Sequence, residues 1–100
     1  MDKAQAIDRM YEVLAELQGE IYFWQGKTTD KVMLQKFANL EDASIRLYEE
    51  LDILPISTLS SMVMVSIVKY MEIELNQTDE LFFLYTYINQ LQVCLYQIRA

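Results

Sequence analysis

The chain has no histidine, one cysteine, one proline and two glycines among its 100 residues. Without histidine it cannot build a Ser/His/Asp triad, a Cys/His dyad, an HExxH helix or an ordinary zinc site. The lone Cys94 can close no internal disulfide and fits a reducing compartment. Gly19 and Gly26 are too few and wrongly spaced for a phosphate-cradling loop. Basic residues are scarce as well: 8 Lys and Arg stand against 15 Asp and Glu, a net charge of −7. Nucleic-acid phosphates would repel such a chain, so no nucleic-acid partner is expected.

Membrane and export signals are also missing. The start, Met1 to Arg9, has neither the basic opening nor the apolar run of about 7–15 residues that a secretory signal needs. The expectation is a cytoplasmic protein. Two uncharged stretches, residues 53–68 and 81–98, are interrupted by Pro55, several serines and Thr86, Asn89, Gln90, Gln92 and Gln97. A spanning helix needs about 20 mainly apolar residues, so membrane contact is expected to be peripheral at most.

What is abundant is apolar side chain, at 53% of the sequence. A chain of this length forms one domain, residues 1–100, with enough core to fold without staples. The apolar residues recur at intervals of three and four, which is the repeat of one helix face. Ile7, Met10, Leu14, Leu17, Ile21 and Trp24 mark a helix over about 3–24, stopped near Gly26. Leu34, Phe37, Leu40, Ser44, Leu47 and Leu51 mark a second over 30–51, widened by Ile45 and Tyr48, with Thr28 or Thr29 as its cap and Asp30 in its first turn. Asp52 to Pro55 breaks the chain. Ser57 or Thr58 then caps a third helix over 58–75, apolar nearly all round, the mark of a buried helix. Thr78 and the acidic pair Asp79-Glu80 open a fourth over 78–98, striped by Leu81, Leu84, Ile88, Leu91, Leu95 and Ile98. Four helices with short connections predict an all-α, antiparallel, up-and-down four-helix bundle.

Charge is unevenly spread: 17 of the 23 charged residues fall in residues 1–52. The second half is therefore either buried on both sides or offered to something apolar. In the fourth helix Phe82, Phe83, Tyr85, Tyr87, Val93, Cys94 and Tyr96 lie off the inward stripe. Two readings stay open. They widen the core face and leave ordinary exposed tyrosines, or Phe82, Phe83, Tyr85, Tyr87 and Tyr96 form a partner-binding surface. Other groups of residues carry less. Glu49, Glu50 and Asp52 form a solvated helix end and lack the spacing of a cation loop. The six methionines fill core space. Cys94 is a small buried hydrophobe, and Trp24 packs on the end of the bundle. No metal, cofactor or catalytic group is expected, since the carboxylates lie on solvated helix faces.

The order of features is distinctive in layout. An amphipathic helix ends in Leu47-Tyr48-Glu49-Glu50-Leu51. A proline-containing turn follows, then a very apolar helix with Tyr70, then Thr78-Asp79-Glu80 at the start of the last helix. Over about residues 34–91 this resembles the immunity proteins of class II (pediocin-like) bacteriocins, which are small antiparallel four-helix bundles. The resemblance implies a non-enzymatic protein that protects the producing cell. It implies action at the cytosolic side of a membrane sugar permease that bacteriocin has engaged, with the C-terminal half setting which bacteriocin is countered. The rival expectation is a homodimeric adaptor or a phage-encoded inhibitor that uses the same aromatic residues for protein–protein contact.

Overall fold

The computed structural model describes residues 2–76 and 79–99. Four α-helices, α1 (Lys3–Gln25), α2 (Lys31–Leu51), α3 (Thr58–Asn76) and α4 (Tyr85–Arg99), form the expected antiparallel bundle, with a 3₁₀ segment at Asp79–Leu84 leading into α4. No strand occurs among the described residues. Each helix packs against two others, in the ring α1–α2–α3–α4. The bundle measures 41 × 20 × 20 Å. Its length is set by α1, whose 23 residues span about 35 Å at 1.5 Å per residue.

Local chemistry places each helix start. At α1 the Asp2 carboxylate accepts from the Gln5 backbone N–H at 2.8 Å, and the Gln5 side chain accepts from the Asp2 N–H at 3.0 Å. This reciprocal pair satisfies two N–H groups that have no partner within the helix. At α2 the cap is Asp30, and neither threonine takes that place. Its carboxylate accepts from the N–H groups of Val32 and Met33, while the Thr28 hydroxyl accepts from the Asp30 N–H. A charged acceptor suits the positive end of the helix dipole better than a hydroxyl, which moves the start from 30 to 31. Ser57 caps α3, accepting from the Ser60 N–H at 3.0 Å. The proposed cap Thr78 lies outside the described residues. The expected continuous helix over 78–98 is instead 3₁₀ up to Leu84 and α from Tyr85 to Arg99.

The core is continuous. It takes Ala6, Met10, Val13, Leu14, Leu17 and Ile21 from α1, and Phe37, Leu40, Ala43, Leu47 and Leu51 from α2. Met64, Val68, Met71 and Leu75 come from α3, and all six stripe residues come from the last segment. Ser44 is buried among them, its hydroxyl donating to the Leu40 carbonyl, so it carries no unsatisfied group into the core. Cys94 is buried too, and burial pushes its thiol pKa up.

Expectations for the core fail in α2 and α3. Leu34 and Ile45 of α2 are exposed, and α3 is not buried all round: Leu59, Met62, Val63, Tyr70 and Ile73 face out, so Met62 is not a core-filling methionine. The reason is geometric. A four-helix bundle has no central helix, so every helix can cover only the stripe that faces the axis. The bundle is not splayed. Its accessible surface is 6088 Å², against about 5900 Å² expected for a compact monomer of its mass. No helix among the described residues is long and apolar enough to cross a membrane.

Polar links between helices hold the register. Arg9 donates to Gln90 at 2.6 Å, tying α1 to α4. Glu74 of α3 accepts from Asn39 and lies 4.0 Å from the Lys36 ammonium, both on α2. Ser60 donates to Glu50 at 2.8 Å across the other end of the same pair. Tyr11 of α1 donates to Asp52 at 2.6 Å and lies against the Tyr48 ring, centroids 5.9 Å apart. The Asp52 hydrogen bond, helped by burial, pushes the Tyr11 hydroxyl pKa up to about 12. A pKa raised on folding means that the native state holds the proton more tightly than the unfolded chain does. The bond's contribution is therefore full below the unfolded value near 10 and is lost as pH rises through 12. Tyr11→Phe is expected to cost about 0.5 kcal/mol at pH 7 in urea unfolding, at the low end for a solvated hydrogen bond. It is also expected to shrink the loss of stability between pH 10 and pH 12, and an unchanged profile would remove Asp52 from this account.

Candidate functional site

The inward stripe of the last segment is filled, so its aromatic residues must emerge on one flank or the other. Phe83 and Tyr87 emerge toward α1. The Phe83 ring meets Trp24 at 5.4 Å between centroids, and Trp24 meets Phe23 edge to face at 5.2 Å. The Lys27 ammonium sits 5.1 Å above the Phe23 ring. Tyr22, next to them in sequence, is 82% exposed. Glu20 anchors the group: its carboxylate accepts from the Trp24 indole N–H at 2.9 Å. Tyr87 is half-buried in a groove lined by Glu16, Gly19, Glu20, Phe23 and Trp24. Burial first, and then the charges of Glu20 and Glu16, raise its hydroxyl pKa, so it stays a neutral donor.

The other flank carries Phe82 and Tyr85, stacked at 5.6 Å with ring planes 18° apart. Phe82 is exposed and Tyr85 half-buried. Tyr96 is 73% exposed, but it lies about 20 Å farther along the helix axis, counting 1.5 Å per residue from Phe82. There it borders a separate groove with Val65, Lys69, Leu95 and Arg99. Of the five residues singled out in the sequence, four therefore collect at one end of the bundle and Tyr96 stands apart.

Three residues of this surface were missed in the sequence: Tyr22, Phe23 and Trp24. Their signal was present. Consecutive helix residues are 100° apart, so three aromatics in a row cannot all lie on one buried stripe. Trp24, assigned to the core stripe, is 39% exposed and works as the bridge between Phe23 and Phe83. The surface is thus built jointly by the C-terminal end of α1 and the 3₁₀ segment that precedes α4. Both are helical, and Phe23, Trp24 and Phe83 pack on one another. Exposed aromatics held by such contacts bury a large apolar area when covered, and such residues are enriched in protein interfaces. No group of three or more Cys, Asp or Glu placed to hold a metal occurs among the described residues.

The chain matches no protein-family model, no curated protein and no solved structure with which it was compared. The surface has to be read from its own residues.

Trp24 is the single tryptophan, so its fluorescence reports on this cluster alone. Phe83→Ala is expected to shift Trp24 emission to the red and raise its quenching by acrylamide, with helical circular dichroism unchanged. The associated loss of stability should be about 1 kcal/mol, the size of one aromatic pair. An unaltered spectrum would mean that Phe83 does not cover the indole.

Proposed function

We propose that the chain is a non-enzymatic interaction protein of the class II bacteriocin immunity type. It works by protein–protein contact at the cytosolic side of a bacteriocin-engaged permease. The observation that carries the contact part of this reading is the braced aromatic cluster of Phe23, Trp24 and Phe83 at one end of the bundle, with Tyr22 and Phe82 exposed near it. Exposed aromatics of this kind supply most of the affinity in protein interfaces. What supports the immunity part is the resemblance in layout over residues 34–91, together with the four-helix fold.

Charge favours a protein over a lipid as the thing touched. A net charge of −7 is repelled by an anionic inner leaflet, and the nearby Lys27 is engaged over Phe23. The aromatic surface thus binds polypeptide, with any approach to the membrane set by the partner.

Expression of the chain in a bacteriocin-sensitive strain should raise the tolerated concentration of at least one class II bacteriocin several-fold. Trp24→Ala with Phe83→Ala should abolish the protection while leaving the helical content intact. No protection across a panel of class II bacteriocins would overturn the immunity reading. Protection that survives the double substitution would move the contact to another surface.

A further inference from the structure

The outer face of α3 is a second apolar surface, separate from the aromatic end. Leu59, Met62, Val63, Tyr70 and Ile73 are exposed along it, Leu59 at 72%. They lie on the side of the helix opposite the buried Met64, Val68, Met71 and Leu75. With Ser66 between them they recur at intervals of three and four, so they share one helix face along which a second helix can lie. At the middle of the face stands Ser66, small and exposed.

Four of the five are placed symmetrically about Ser66, while Val63 has the exposed Lys69 at its mirror position. Leu59 and Ile73 are each seven residues away, and Met62 and Tyr70 are each four away. A twofold, self-complementary interface requires this, because each residue must meet its mirror position in an antiparallel copy. Such a pairing sets Leu59 against Ile73 of the second copy and Met62 against its Tyr70. The two Ser66 residues meet at the crossing, where a small side chain lets the helices approach closely.

The flanking charges agree. Asp42 and Arg46 of α2 line the groove beside Val63, Ser66 and Tyr70. The contacts of Glu50 with Ser60, and of Lys36 and Asn39 with Glu74, put Ser66 level with residue 45, between those two charges. A twofold beside Ser66 keeps α2 flank against α2 flank while reversing the axis. Arg46 of each copy then lies on the same side of the interface as Asp42 of the other, and their charges are opposite. Five exposed large side chains present on the order of 500 Å² per copy, about 1,000 Å² for a pair, which is the low end for a specific interface.

We propose that two copies of this chain pair antiparallel through the outer faces of α3, about a twofold axis beside Ser66. This inference does not rest on the immunity reading, and it leaves the aromatic end of the bundle free.

The test is light scattering after size exclusion, together with cysteine cross-linking. At about 100 μM, where a micromolar Kd leaves the chain mostly dimeric, the mass should be twice 11.8 kDa. Ser66→Arg should return it to the monomer. Arg46→Asp should weaken pairing, and adding Asp42→Arg should restore it. All three residues are exposed, so the fold should tolerate the changes. Because Cys94 is buried, Ser66→Cys introduces the one accessible thiol among the described residues. Mild oxidation should link it into a disulfide dimer, while Ala38→Cys, exposed on α2, should stay unlinked. A wild-type chain that is monomeric at 100 μM, alone or bound to an unrelated helix, would overturn the proposal. So would a dimer that ignores Ser66→Arg and fails to cross-link at Ser66→Cys.

Discussion

Everything outside the core follows from one constraint: a four-helix bundle covers only one stripe of each helix. Four stripes meet at the axis and close over Leu14, Leu47, Met71 and Leu91, all fully buried. Among the described residues no fifth helix covers the outside. A sequence that is 53% apolar holds more apolar side chain than four stripes can take. The surplus is forced outward, and the helix on which each residue stands decides where it goes. Two surfaces result, an aromatic one at the meeting of α1 with the last segment, and an aliphatic one along α3.

The two surfaces differ in chemistry, and that separates their roles. At the bundle end the aromatics touch one another and are held from below by Glu20. Phe23, Trp24 and Phe83 are packed on one another in the free chain, so less order has to be imposed when the cluster is covered. Along α3 the exposed residues are aliphatic or flexible, apart from Tyr70, and Leu59, Met62, Tyr70 and Ile73 lie symmetrically about Ser66 on one face. Such a surface suits a helix of like pattern, and a second copy supplies one. The polar links lie elsewhere. Arg9 with Gln90, Tyr11 with Asp52, and Glu74 with Lys36 and Asn39 fix one helix against the next without occupying either apolar face.

Much of the fold was legible because the signals were periodic. The stripe from Leu81 to Ile98 is buried throughout, and the breaks near Gly26 and Pro55 fall where they were expected. Caps were harder to read, since Thr28, Thr29 and Asp30 all carry a suitable oxygen and only the geometry selects the carboxylate. The 3₁₀ turn before Tyr85 has no pattern of its own, because 3.0 and 3.6 residues per turn diverge too little over six residues. The outward face of α3 was misread for a different reason. A helix apolar all round looks buried in isolation, and only the arrangement of the four described helices shows that one of its sides is left uncovered by them. The aromatic surface was half legible: Phe82 and Phe83 stood out, while Trp24 reads as the end of a core stripe and Tyr22 and Phe23 carry no periodic signal of their own.

The central claim is that α3 buries one side and presents an apolar other side. Met62 and Met64 are two residues apart on it, one exposed and one fully buried. Oxidation of the folded chain by hydrogen peroxide, read residue by residue by mass spectrometry, separates them directly. It should be done at about 0.1 μM, a dilution at which a micromolar dimer has dissociated. The account predicts fast oxidation of Met62 and strong protection of Met64 and Met71. Equal protection of Met62 and Met64 would mean that the outer face is covered within the single chain, and would contradict it.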